Sequence, residues 1–288
     1  MWIQSKTSRL SRIAALLFIA LGLCLIAYPA FSDRWNALRQ SRAVAVYSRA
    51  TGQKDETEIE AELQKAQEFN ARLASMGNAR FALEEDSKLH AEYESLLDVT
   101  GTGIMAYIEI PGYRTVQPVY HGTGEAVLQV AVGHLEGTSL PTGQPGTHAA
   151  FVGHDGLPSA RLFTDITKMK EGDLFLVHVY DRVFAYEADR IITVEPGDLS
   201  ALEIVPGQEY ATLITCVPYG VNSHRLLVRG HRTEITAEEE IPVTERMEET
   251  ARQEDGSSGF LIRICLIAAL LALHIAGMRA ERRKHDIW

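Results

Sequence analysis

The run Tyr210-Ala211-Thr212-Leu213-Ile214-Thr215-Cys216 leads through Val217-Pro218-Tyr219-Gly220-Val221-Asn222-Ser223-His224 into Arg225-Leu226-Leu227-Val228-Arg229. The first segment predicts a strand in which Thr212, Ile214 and Cys216 share one face, with Cys216 at the strand's end. The middle segment is rich in turn residues, and the third reads as the next strand. If the two strands pair antiparallel, Cys216 and Arg225 meet at one rim, about 5 Å apart at their Cα atoms when directly opposed. A thiol then stands beside a permanent cation.

Outward from this pair the texture stays the same. After Thr100-Gly101-Thr102-Gly103, short apolar or alternating runs separated by Gly, Pro and Asp predict strands over 105–110, 115–120, 147–152, 174–180, 183–194, 210–216 and 225–229. One helix is expected over 159–169, capped by Ser159 with Leu162, Phe163 and Ile166 on its apolar face. The fold class implied is mainly β: a closed or nearly closed β-barrel with short helices, occupying 100–233. Residues 32–99 form a helical arm ahead of it. That stretch has no Pro and few Gly, and it places Ile59, Leu63 and Ala66 at helical intervals until Gly77-Asn78 interrupts the pattern.

Two apolar stretches flank this domain, at 13–31 and 260–278, each about the length a helix needs to cross a bilayer. The first has a signal-peptide reading too, since Lys6, Arg9 and Arg12 precede it. Its length and the poor cleavage site Ala27-Tyr28-Pro29-Ala30 point instead to an uncleaved anchor. The basic segment 1–12 precedes the first span, and Arg279, Arg282, Arg283 and Lys284 of the tail 279–288 follow the second. The positive-inside bias therefore predicts two transmembrane helices, both termini in the cytoplasm and the catalytic domain outside the cell.

The formal net charge of −10 argues against a nucleic-acid partner. Much of it is local. Between Glu234 and Asp255 nine acids face Arg246 and Arg252 alone, so 234–259 reads as a solvated acidic linker ending in Gly256-Ser257-Ser258-Gly259.

Of the three cysteines, Cys24 and Cys265 fall in the two spans, and Cys216 stands alone between them. No disulfide is open to the domain outside the membrane, so Cys216 is either buried and inert or used. The adjacent Arg225 favours use. A guanidinium stabilises the attacking thiolate and offers donors to a developing oxyanion. The base such a thiol needs is assigned to His154, which closes the apolar run Ala149-Ala150-Phe151-Val152-Gly153 at another strand end. His224 is its rival. His90 belongs to the arm, His121 and His134 to glycine-rich turns, His148 and His178 to strands, and His231 follows the last strand, all with structural readings. A lone thiol without paired ligand spacing is a poor zinc constellation.

Thr212-Leu213-Ile214-Thr215-Cys216 resembles the TLxTC signature of sortases, with Arg225 at the family's position after the cysteine and Gly153-His154 in the segment that carries its histidine. The similarity extends through Tyr107-Ile108-Glu109-Ile110-Pro111, Val119-Tyr120-His121-Gly122-Thr123, Gly133-His134-Leu135-Glu136-Gly137, Gly156-Leu157-Pro158-Ser159 and His224 to Gly230. The helical arm and the second span make it most similar to class C sortases, the pilin polymerases. The resemblance implies a sortase-type barrel that cuts LPxTG-like sorting signals between Thr and Gly. A thioester on Cys216 is then passed to a lysine of another pilin subunit, with His154 as acid and base, Arg225 as stabiliser and neither metal nor organic cofactor. Its partners would be pilins carrying such signals, and the lipid bilayer.

Class C members usually carry an Asp-Pro-aromatic lid motif before the barrel. This chain has no Pro between Pro29 and Pro111, and Asp86-Ser87 lacks the aromatic neighbour. Leu140-Pro141-Thr142-Gly143 looks like a sorting signal, but it lacks the spacer residue and reads as a loop. Three other readings stand beside the polymerase. They are a sortase that attaches proteins to cell-wall peptide amines, a non-catalytic pilus-assembly scaffold with Cys216 buried, and a papain-like hydrolase, whose signatures are missing.

Overall fold

The computed structural model of the chain describes residues 2–76, 86–156 and 162–234. Within them eight strands close a barrel: β1 (Ile104–Ile110), β2 (Thr115–His121), β3 (Val132–His134), β4 (Thr147–Val152), β5 (Leu174–Val179), β6 (Arg182–Val194), β7 (Glu209–Val217) and β8 (His224–Thr233). Their order around the barrel is β1-β2-β3-β4-β7-β8-β6-β5. The pairs β2/β3 and β4/β7 are parallel and the remaining ones antiparallel.

Strand alternation divides the side chains between two environments. Ala106, Ile108 and Ile110 of β1, Phe175, Val177 and Val179 of β5, Ala211 and Leu213 of β7 and Val228 of β8 belong to the main core. Ala150, Ile214 and Leu227 turn to the outer face and form a smaller cluster with Leu135 and Leu202.

All seven expected strands are present, and β3 is an addition. Three residues around a glycine carry no period from which to read it. It changes the setting of two histidines, since His121 and His134 end β2 and β3 opposite one another rather than lying in turns. β8 also runs on to Thr233, so His231 sits within it. The helix expected over 159–169 is, in its described part, a 3-10 helix over Thr164–Lys168 entered from Phe163. Ser159 lies outside the described residues. Thr164, Ile166 and Thr167 are β-branched and disfavour an α-helix, while i,i+3 spacing buries Phe163 and Ile166 together.

The arm begins within a long helix, α1 (Trp2–Thr51), whose stretch from Ala14 is long and apolar enough to cross a membrane, with mean hydropathy 2.3. The stretch expected to form a second span, 260–278, and the acidic linker from 235 onward lie outside the described residues. Towards its C-terminal end α1 packs on the barrel, where Val44 and Tyr47 are buried against Ile104 and Tyr107. The Tyr47 hydroxyl donates to Met105 O at 2.9 Å and accepts from Tyr180 N at 2.9 Å. Burial holds that phenol well above its ordinary pKa, so it stays a donor.

Next come α2 (Glu56–Ser75), capped by Asp55 accepting from Glu58 N at 2.8 Å, and α3 (Ser87–Ser95), capped by Asp86 accepting from Lys88 N and Leu89 N. Capping a helix is thus the role in which Asp86 is found. Ile59, Leu63, Ala66, Phe69 and Leu73 form the buried stripe of α2, extending the spacing read from the sequence. With Leu89, Tyr93 and Leu97 they join the same core as the barrel interior. The arm is therefore part of the barrel's hydrophobic core, with Phe69 and Leu97 fully buried.

Candidate active site

β7 and β8 pair Thr212 with Arg229, Ile214 with Leu227 and Cys216 with Arg225. Cys216 and Arg225 thus stand directly opposed at the strand ends, on the outer face that also carries Ile214 and Leu227. β4 lies on the other side of β7, its last pair being Val152 with Ile214. The ladder continues past β4: Gly153 N donates to Ile214 O at 3.0 Å, and Thr215 Oγ1 donates to Gly153 O at 2.7 Å. His154 therefore reaches the rim two residues beyond that pair, in register with Cys216. All three predicted residues come together at one rim, and each is partly buried.

Cys216 is a free, partly exposed thiol and not a fully buried core residue. It lies next to the end of β7, after a run of buried residues from Ala211 to Thr215, and its backbone is paired with Arg225 of β8. The peptide bond that follows Val217 is cis.

The His154 turn is held from below. Gly153 packs against Phe163 so closely that a Cβ there would lie 2.8 Å from the ring. Phe163 N donates to His154 O at 3.1 Å, and Gly156 N donates to Thr164 Oγ1 at 3.2 Å. Between them sits Asp155, whose carboxyl is pushed upward by burial against the lowering effect of its hydrogen bond with Thr164.

Arg225 is anchored through Nη1 to two carbonyls of its own loop, Asn222 O and His224 O, each at 3.0 Å. Those bonds hold the guanidinium plane and leave Nη2 and Nε uncommitted among the described residues. A planar fork fixed on one side and open on the other suits a carbonyl oxygen that gains charge.

His224 does not share this arrangement. It pairs with Val217, so its side chain leaves the sheet on the face opposite Cys216. Its Nδ1 meets Ser223 Oγ at 2.8 Å and its Nε2 lies 3.4 Å from Glu195. His178 is stacked on Tyr107 and lies 3.2 Å from Glu109, away from the rim.

His134 and His148 are buried structural groups. The Ser139 carbonyl, 2.9 Å from Nε2 of His134, requires a proton there, so Nδ1 accepts from the Tyr93 hydroxyl at 3.0 Å. Gly122 N in turn donates to that hydroxyl, so Tyr93 ties α3 to the barrel. His148 likewise faces Glu203 O with Nδ1 and accepts from Thr212 Oγ1 at 2.7 Å.

Burial lowers both imidazoles from 6.5 to about 4. As the pH falls, the unfolded chain gains these protons near 6.5 while the folded protein refuses them until about 4. Stability fully present above the upper value is therefore expected to drain away across that window, by on the order of 3 kcal/mol per histidine. Urea midpoints measured from pH 7.5 down to 4 check this, and a flat profile would rule it out.

The Leu140–Gly143 look-alike signal is buried, with Leu140 at 0% and Thr142 at 4% exposure. Asn70 of α2 clasps it: Leu140 N donates to Oδ1 at 2.7 Å, and Nδ2 donates to Leu140 O at 2.9 Å and Thr142 Oγ1 at 3.1 Å. A segment so held is scaffold and not substrate. Among the described residues no cluster of three His, Cys, Asp or Glu side chains is placed to hold a metal.

Residues 108–233 match the Sortase domain family. The chain is similar to the crystal structure of sortase C1 from Streptococcus agalactiae, with 44% identity and TM-score 0.64, covering 68% of this chain and all of that one. It is similar to Streptococcus pneumoniae sortase C at 42% identity and TM-score 0.59, covering 68% of this chain and 98% of that one. The latter structure bears on catalysis and pilin substrate specificity. Sortase A of Bacillus anthracis is 25% identical over 223 residues, covering 77% of this chain and 94% of its own length.

Proposed function

The chain belongs to the sortase family and is a cysteine transpeptidase, and on that premise we propose that it joins pilin subunits into a polymer from a membrane anchor. In this reading Cys216 Sγ attacks the Thr carbonyl of an LPxTG-like signal, and the uncommitted donors of Arg225 receive the oxygen as it gains charge. His154 passes a proton to the departing glycine amine, and the Cys216 thioester retains the rest of the donor pilin. His154 then takes a proton from the lysine ε-amine of the next subunit as that amine displaces the thiol. No cofactor enters either half.

The observation that carries this reading is the direct opposition of Cys216 and Arg225, with the His154 segment in register on the neighbouring strand. The pilin assignment is supported by likeness to sortase C structures at 42–44% identity over 68% of the chain. Anchoring is supported by the continuity of α1, which carries both the apolar stretch and the barrel-bound Tyr47. The topology we propose has spans at 13–31 and 260–278, cytoplasmic ends, and the arm, barrel and acidic linker outside.

The test is an acceptor competition. The thioester formed from an LPxTG-bearing pilin fragment is offered, at equal concentration, a lysine-bearing pilin domain and a cell-wall stem peptide with a free amine. Predominant pilin–pilin isopeptide product is expected. Predominant transfer to the stem peptide would reassign the protein to cell-wall anchoring.

A further inference from the structure

Tyr219 lies three residues after Cys216, in the β7–β8 loop, and its ring covers Gly156, two residues after His154. At Gly156 the backbone has φ +74°, and an added Cβ would fall 1.9 Å and 2.2 Å from two carbons of the Tyr219 ring. The contact exists because position 156 lacks a side chain and is turned into a conformation that L-residues rarely adopt. Tyr219 is nevertheless 68% exposed, so the fold gains little from its burial. An aromatic ring left largely in solvent, with its Cδ2–Cε2 side against a bare backbone, links the two loops that leave the rim after Cys216 and after His154.

We propose that Tyr219 is a positioning residue whose ring, seated on Gly156, holds the His154 turn in register with the Cys216 loop. The inference rests on the assignment of Cys216 and His154 as nucleophile and proton carrier. The turn is also supported from underneath, where Phe163 N donates to His154 O and Gly156 N donates to Thr164 Oγ1, and at its start by β7, through Gly153 N on Ile214 O and Thr215 Oγ1 on Gly153 O. Tyr219 supplies the contact that comes from the nucleophile's own loop, and so couples the two segments that must move protons between them. Misplacement by about 1 Å at such a pair costs up to about 100-fold in rate. The ring is what the geometry uses, so phenylalanine replaces it and alanine does not.

The test uses the full-length protein in detergent. The rate of Cys216 alkylation by iodoacetamide is followed against pH, together with kcat and KM on a peptide sorting signal. Wild type, Tyr219→Ala, Tyr219→Phe and His154→Ala are compared, with thermal unfolding measured for each. Tyr219→Ala is expected to lower kcat by about 10- to 100-fold with KM within about twofold and melting unchanged. Its alkylation profile should move towards that of His154→Ala, and Tyr219→Phe should restore the wild-type profile. A Tyr219→Ala protein with wild-type kcat and profile overturns the proposal. A wild-type profile already identical to that of His154→Ala overturns instead the pairing on which the proposal rests.

Discussion

Cys216→Ala is expected to end transpeptidation altogether, with a loss of at least about 10⁴-fold, because the proposed mechanism carries the acyl chain on the Cys216 thiol. Cys216 is the sole described thiol outside the apolar part of α1. Its side chain is small, partly exposed and at a strand end, so alanine leaves no cavity and the barrel should melt where the wild type does. Loss of polymer at unchanged melting temperature is the expected outcome, read by gel mobility of ligated pilin fragments and by calorimetry. Polymer formation at a wild-type rate would remove Cys216 from the mechanism.

Arg225→Lys should be nearly as damaging despite conserving charge, with turnover down by about 100-fold or more. In the proposed mechanism the guanidinium has two tasks at once: Nη1 is tied to Asn222 O and His224 O, and the rest of the fork would meet the reacting carbonyl. An ammonium on a flexible stem cannot satisfy two loop carbonyls and also present a fixed planar donor pair. The loss should fall on kcat more than on KM, since an oxyanion donor acts on charge that develops in the transition state. Single-turnover acylation rates measure it, and an Arg225→Lys enzyme within about threefold of wild type would confine Arg225 to structure.

The geometry of the rim was legible because it depends on short-range rules. Alternation alone puts Ile214 and Cys216 on one face, and a hairpin with turn residues between 217 and 224 brings Arg225 back opposite Cys216, as the register confirms. Placing His154 required one more strand, and the run 149–153 supplied it by ending at the same rim. What sequence could not supply are contacts whose partners are remote and whose residue types are ordinary.

Asn70 binding the backbone of Leu140 spans 70 positions, and nothing in Phe69-Asn70-Ala71 signals it. Tyr93 reaching His134 could not be expected once β3 went unread, for a three-residue strand containing glycine has no pattern to detect. The Tyr219 contact with Gly156 joins two turns that look like ordinary connectors when read separately. The arm was read as helical, but whether it forms core or cover depends on which face meets the barrel. Phe69, Tyr93 and Leu97 show that it forms core.

The most direct test of the central claim is the intact mass of full-length protein in detergent after incubation with an LPxTG-bearing pilin fragment and no acceptor amine. The account predicts one adduct, at the mass of the fragment cut after Thr, on the wild type and absent from Cys216→Ala. No adduct on the wild type, or the same adduct on Cys216→Ala, would contradict it.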